Sequence, residues 1–465
     1  MAVLIRGCRS SRPNVAFLVT GSQSRLRLVA ARNRAVGVER QVLKNGLKVL
    51  VLPDDSSPLV GVAVVYDVGF RSEPEGRTGF AHLFEHMMFQ GSAHVGKGEH
   101  PRLIEGAGGR MNGQTMGDLT AYYEAAPSGA LELLLWLEAD RMGRLAVNDE
   151  NLINQIAVVK EEIKVNVLNQ PYGGFPFILL PEVAFRTFPN SHNGYGAFED
   201  LETATVADAA GFYKTFYAPS NAVLAVAGDC EVDAVFEMAE RHFGDLRSSR
   251  PPRHGPWPEP APTSPRRRVV RDPRAPQPAF VAAYRTPDPV AELDRHLGYH
   301  VLAQLLSRGD ASRLRARLMH RDNLVTDVSC QLGIFGFDGL YMRDPVLFQV
   351  VVFHPGKKAT DDLLSIVAEE LSLLAEDGPS DEELERVAAE FASAHWREVD
   401  SVMDRAIILA FLEATHGRAE LLAELPDRLA AVSATSIAEA ASSLLSQHAT
   451  VVEIEPASSP TEASK

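Results

Sequence analysis

Three cysteines in 465 residues, Cys8, Cys230 and Cys330, are too few and too scattered for a disulfide framework or a cysteine-based zinc cluster. No apolar run approaches the roughly 18 residues that span a bilayer, so no membrane partner is expected. A basic surface is lacking too. The net charge is −15, which excludes a polyanion such as nucleic acid as the partner. Only the start of the chain is basic: residues 1–38 hold seven arginines and no acidic residue, leaving −22 on the remainder. This stretch is read as a disordered Arg-rich extension of a cytoplasmic, bacterial protein. The alternative is an organellar transit segment, which would place the protein in the mitochondrial matrix. "VAFLVT" is too short for a secretory core, so export is not expected.

What is present suits two large domains, with 45% hydrophobic residues to build cores. "QVLKNGLKVLVLP" reads as a hairpin about Asn45-Gly46, and "LVGVAVVYDVG" as a buried strand. "GGRMNGQTMGDLTAYYEAAP" has the turn residues and polar alternation of two edge-like strands. Amphipathic stretches follow at Ser128–Leu145 and Asp149–Leu168, then a helix near Val206–Phe216, the strand "NAVLAVAGD" and a helix over Val232–Phe243. Residues 251–265 contain seven prolines, which neither a helix nor a central strand tolerates, so they form a linker. Beyond them the order begins again: strand "AFVAAYRT", a helix over Ala291–Ser307, further strands and helices, and a closing helix–turn–strand like the one that ends the first half. The chain is therefore read as α+β, with two structurally similar halves, each a mostly antiparallel sheet packed with helices. The halves are residues 39–250 and 266–456, followed by a disordered tail at 457–465.

"GFAHLFEHMMFQGS", Gly79–Ser92, carries the chemistry. At about 100° per residue, Phe80, Leu83, Phe84 and Met87 form one core-facing stripe. His82, Glu85 and His86 share the opposite side, and histidines four apart can reach one small object. A catalytic zinc wants three protein ligands and one open position. His82 and His86 supply two, and Glu85 is a free carboxylate placed to act as base toward a water activated there.

A third ligand is sought on "NLINQIAVVKEEIKVNVL". Leu152, Ile156, Val159 and Ile163 define its apolar stripe. Glu161 points about 170° from the stripe's centre, into solvent, whereas Glu162 lies about 90° off, where it can reach a neighbouring helix. Glu162 is the predicted ligand. Gln155, seven residues earlier, shares that margin and is a candidate for a supporting role behind the metal.

His-x-x-Glu-His followed some 75 residues later by the glutamate of "VVKEEI" resembles the inverted-motif zinc peptidases of the pitrilysin/insulinase family. "YDVGFRSEPEGRTGFAHLFEHMMFQGS", "GGRMNGQT" and "FYAPSNAVLAVAGD" are similar to family blocks, within the branch of two-domain subunits typified by mitochondrial processing peptidase and its bacterial relatives. The resemblance implies a metallopeptidase clamshell fold. It implies Zn2+ held by His82, His86 and Glu162, Glu85 as the catalytic base, and a peptide or unfolded chain added as a strand along Asn112, Gly113 and Thr115. It also implies a homodimer or, more fully, a heterodimer with a homologous family subunit.

Two departures matter. Many family members have a second glutamate where this chain has Gln155. Active members also carry, in the second half of a subunit, an Arg and a Tyr that bind the substrate carbonyl. In "RARLMHRDNLVTDVSC" those positions hold Met319 and Thr326. The leading expectation is thus a zinc endopeptidase subunit completed by a partner. The alternative is a zinc-binding scaffold subunit with little catalysis of its own. "HLGYH" in the second half places His296 and His300 four apart, but Tyr299 stands where a base would be, so a hydrogen-bonded surface role is expected. His94, His100, His192 and His242 read as surface or loop histidines, and Arg266–Arg268 as a solvated linker end.

Overall fold

The computed structural model describes residues 37–456 except 249, 251, 253, 254 and 256. The expectations about the Arg-rich extension and the C-terminal tail fall on residues outside these. The first sheet has six strands, β1 (Glu39–Val42), β2 (Lys48–Pro53), β3 (Leu59–Tyr66), β4 (Arg110–Thr115), β5 (Thr120–Pro127) and β6 (Ala222–Gly228), of which β2, β3 and β6 are runs of β-branched and aliphatic residues. Their spatial order is β1-β2-β6-β3-β5-β4, antiparallel throughout except for the β2–β6 pair. β4 therefore lies at an edge, with one side unpaired.

The second sheet repeats the plan. It comprises β7 (Arg266–Asp272), β8 (Ala279–Arg285), β9 (Asp327–Ile334), β10 (Phe337–Asp338), β11 (Leu347–Phe353) and β12 (Thr450–Pro456). The order is β10-β9-β11-β8-β12-β7, and only β7 and β12 run parallel. The series β2, β6, β3, β5, β4 thus corresponds to β7, β12, β8, β11, β9. The helix Phe80–Met87 between β3 and β4 has its counterpart in the helix Leu293–Ser307 between β8 and β9.

Arg266–Arg268 is not a solvated linker end but the start of β7. Charges on an edge strand keep it from pairing with other chains, and here Arg267 pairs with Asp361 and Glu453, and Arg268 with Glu182. The Pro-rich stretch is anchored as well: the Glu259 carboxylate accepts from the backbone N–H groups of Arg186 (2.6 Å) and Thr187 (3.1 Å).

The halves are interlocked. The helix Val402–His416 packs across β3 and β6 of the first sheet. It lies so close that a Cβ on Gly61 would sit 2.2 Å from the Val402 carbonyl oxygen. Beside it, the fully buried Arg71 donates to Asp118 Oδ2 (3.3 Å) and to the carbonyls of Arg343 (2.8 Å) and Pro345 (2.5 Å). The Arg343 backbone N–H also donates to Asp118 Oδ2 (2.8 Å), and its guanidinium grips Asp67 at 2.8 and 3.0 Å. Asp118 belongs to the turn between β4 and β5. The far half of the chain thereby holds the turn that leaves the edge strand.

Candidate active site

The helix Phe80–Met87 buries Phe80, Leu83, Phe84 and Met87 against the sheet, none more than 1% exposed. Its other side presents His82, Glu85 and His86. The helix Asp149–Ile163, capped by Asn148 through its side chain, packs against it. Glu162 there faces the histidines, with Oε2 3.1 Å from His86 Nε2 and Oε1 3.8 Å from His82 Nε2. Glu161 points away, exposed, and pairs with Lys164 at 3.6 Å. Past Ile163 the helix widens into a π turn over Lys164–Leu168.

The donor set fits a catalytic zinc. One imidazole nitrogen from each histidine and a Glu162 carboxylate oxygen all lie within 4.8 Å of one another. Donors about 2 Å from a tetrahedral ion sit roughly 3.3 Å apart, and the two separations to Glu162 bracket that value. Protonation states fit too. Burial, reinforced by the neighbouring His86, lowers His82 to about 4, so its imidazole is neutral. The hydrogen bond with His86 holds Glu162 low and ionised. One feature departs from common metal sites: His82 Nδ1 is buried with no hydrogen-bond partner, whereas ligating histidines usually donate from their second nitrogen.

Glu85 stands beside this candidate ligand set without joining it. Burial pushes its carboxyl up, while the Thr115 hydrogen bond and His86 pull it back. Thr115 Oγ1 donates to Glu85 Oε2 at 2.6 Å. Gly113 lies directly over Glu85, where a Cβ would come within 3.2 Å of Glu85 Cγ. Asn112 Oδ1 accepts from the Gly113 backbone N–H at 2.9 Å. The edge strand thus runs along the carboxylate and the ligand set. Gln155 is buried on the ligand helix and donates its amide to Asn154 at 2.8 Å.

Met319 and Thr326 lie elsewhere, in the second half. Met319 packs against the core from the turn of helix Arg315–Arg321. The Thr326 hydroxyl donates to the Phe353 carbonyl (3.0 Å) and accepts from the Gln277 amide (2.6 Å). Neither lines the cavity of about 190 Å³ that opens beside the ligands. That cavity is bounded by His82, Glu85, Glu162 and β4, and by side chains that sequence reasoning missed: Phe70, Ile178, Tyr195, Phe335 and Phe337. Tyr195 stands edge-on to His82, ring centroids 5.3 Å apart. Its only local signal is its place between two glycines, Gly194 and Gly196.

Several histidines are not where the sequence suggests. His296 and His300 are buried rather than superficial, and His296 Nδ1 donates to the Pro287 carbonyl at 3.0 Å. His192 is half-buried and bonds to Glu73 (3.1 Å). His100 is buried 3.7 Å from Glu124, in a second His/Glu cluster with Glu138. There Arg141 takes the place a cation would occupy: it donates to both oxygens of Glu138 and stacks 4.5 Å over Tyr122. These polar faces are covered by elements distant in sequence, which helical periodicity does not reveal.

Comparison with known proteins agrees with this geometry. Residues 48–188 match the family model described as insulinase (peptidase family M16), and residues 203–391 the peptidase M16 inactive domain. The chain is 31% identical over 211 residues to zinc protease PqqE of Helicobacter pylori, covering 45% of this chain and 47% of that one. It is 30% identical over 361 residues to an uncharacterized zinc protease of Mycobacterium leprae, covering 75% and 76%. With the beta subunit of the Caenorhabditis elegans mitochondrial-processing peptidase it shares 26% identity over 227 residues, 48% and 49% of the two chains. The chain thus spans about half the length of the first and third of these relatives. The crystal structure of a protease from Helicobacter pylori superposes with a TM-score of 0.82 at 24% identity, over 90% of this chain and all of that one. Two like halves, a His-x-x-Glu-His helix facing a glutamate on a second helix, and these matches together place the chain in the insulinase family of M16 peptidases.

Proposed function

We propose that this chain is the zinc-binding subunit of a peptidase that hydrolyses short or unfolded peptides, completed by a second subunit of the same family. The convergence of His82, His86 and Glu162 beside a free, half-buried Glu85 carries the reading. His82 and His86 would hold zinc through Nε2, and Glu162 through its carboxylate. Zinc, when bound, supplies the Lewis acid that lets water attack near neutral pH and polarises the scissile carbonyl. Glu85 takes the proton of the attacking water and delivers it to the leaving amine. Thr115 fixes one Glu85 oxygen, so the base is oriented before substrate arrives. The unpaired side of β4, with Asn112 and Gly113, offers main-chain groups to an extended peptide. Folded domains cannot donate such a strand. The free thiols of Cys230 and Cys330 suit a reducing, cytoplasmic compartment.

A negative oxygen develops on the carbonyl during attack, and the positions that resemble the family's Arg/Tyr pair hold Met319 and Thr326. Met319 has no donor, and the Thr326 hydroxyl is already committed to Phe353. A homologous subunit bearing that pair supplies the missing donors in this reading. The same observation favours a second reading, a zinc-binding scaffold subunit without turnover.

Metal analysis and peptide cleavage decide. Purified protein is expected to hold about one zinc per chain. Glu85→Gln should retain the metal while cleavage of an unstructured peptide falls about 10²–10⁴-fold. Chelation should abolish cleavage and zinc restore it. Normal cleavage by Glu85→Gln would overturn the mechanism. A zinc-loaded chain inert with every family partner would leave the scaffold reading standing.

A further inference from the structure

The tip of the β9–β10 hairpin belongs to the second half of the chain, yet it forms one wall of the cavity beside the ligands. Ile334 pairs with Phe337 across a two-residue turn, Phe335-Gly336. Both turn residues have positive φ, +55° and +84°. That is the pattern of a type I′ turn, which strongly favours Asn-Gly or Gly-Gly. A bulky residue held at positive φ strains the backbone, and such strain collects at functional sites. Phe335 is the residue the turn disfavours.

Its ring explains the choice. Phe335 stands edge-on to Phe70, centroids 5.7 Å apart, and the Phe337 ring lies 6.5 Å from Phe70. Phe70 in turn fits only because residue 194 is glycine: a Cβ there would fall 2.3 Å from the Phe70 ring. Phe335 also covers Gly117, just beyond the end of β4. With Ile178, these rings line the cavity that Glu85, His82 and Glu162 also border, and Phe335 places them toward Gly117, beyond the Thr115 that holds Glu85.

Resting on the peptidase reading, we propose that Phe70, Phe335 and Phe337 form a specificity subsite for one aromatic or large aliphatic side chain of the peptide. The subsite lies toward the C-terminal end of β4. Antiparallel addition is the more stable way to extend an edge, and it brings the amino-terminal part of the substrate there. The selected residue therefore precedes the bond to be cut.

The test separates binding from cleavage. Zinc-loaded full chain carrying Glu85→Gln is titrated, by fluorescence anisotropy, with labelled unstructured peptides differing at one position: Phe, Leu, Ala, Lys or Asp. Phe and Leu should bind at least about tenfold tighter than Ala, the effect of burying one large apolar side chain. Phe337→Ala, and independently Phe335→Leu, should shrink that ratio to within about threefold. Mass spectrometry of products from the uninhibited enzyme should find Phe and Leu enriched directly before the cut. Equal binding across the series, a preference for Lys, a preference untouched by both variants, or enrichment after the cut would each overturn the subsite while leaving the peptidase reading intact. Absence of both peptide binding and cleavage would overturn both.

Discussion

Thr115 Oγ1 donates to Glu85 Oε2 across 2.6 Å, tying the edge strand to the helix that bears the histidines. The contact joins residues 30 positions apart and orients the only carboxylate on the histidine face of that helix. Thr115→Val removes the donor at nearly constant shape. Zinc content should be unchanged and peptide cleavage should fall about tenfold, a net hydrogen bond to a charged group being worth about 1.5 kcal/mol. Thr115→Ser should restore most of the rate. Steady-state kinetics on one unstructured peptide make the comparison.

Adjacent glutamates on one helix should behave oppositely. Glu162→Gln is expected to weaken zinc by more than the roughly 10–100-fold typical of losing an outer-shell partner. Glu161→Gln, at an exposed position paired with Lys164, should leave zinc affinity within about twofold. Competition with a chelating dye reads both. Equal losses would mean that the ligand lies elsewhere.

Alone, the chain is expected to cleave slowly. Adding a family subunit with Arg and Tyr at the positions of Met319 and Thr326 should raise the rate on the order of a hundredfold, the usual worth of one preorganised oxyanion donor. Size-exclusion chromatography should show the heterodimer that accompanies the gain. Fast cleavage by the pure chain, unaffected by Met319→Ala and Thr326→Ala, would dismiss the partner requirement.

Breaking the bridge between the halves should be costly. Asp118→Ala removes the carboxylate paired with the fully buried Arg71 and strands the Arg343 backbone N–H and the Trp257 indole N–H, the latter now 2.8 Å from Asp118 Oδ1. A loss of about 3–5 kcal/mol is expected in urea denaturation. A conservative Asp118→Asn should lose less, because it keeps an acceptor.

A second tie between the halves should make stability depend on acid. Asp54 pairs with Arg405, whose hydrogen bond lowers the carboxyl from its ordinary 3.8 to about 2. A depressed value means the folded state releases the proton more readily, so the pair stabilises fully above pH 4. The contribution fades as pH falls from 3.8 and is gone below about 2. The denaturation midpoints of wild type and Asp54→Asn should therefore differ at pH 7 and converge as pH drops from 4 toward 2.

Local sequence determined the elements and the faces they present. The stripe of Phe80, Leu83, Phe84 and Met87 buries because helical geometry sets it every three or four residues. The same geometry separates Glu162 from Glu161 without reference to the rest of the chain. Turn residues likewise marked two strands within residues 108–127, but only Arg110–Thr115 is the edge strand expected, since Thr120–Pro127 pairs on both sides and is buried; the recurrence of element order announced two like halves. Tertiary structure alone decided what covers those faces. His296 and His300 have the spacing of a shared polar face, yet both are buried. The start of β7 is three arginines that become a strand only because β12, almost 200 residues later, pairs with it. Phe335 reaches the site from some 250 residues beyond the histidines, and Asp118 finds Arg343 at a similar separation. Periodicity is a property of a few turns of chain, whereas these contacts depend on how two sheets are docked, and that docking is set by the summed burial of the whole core.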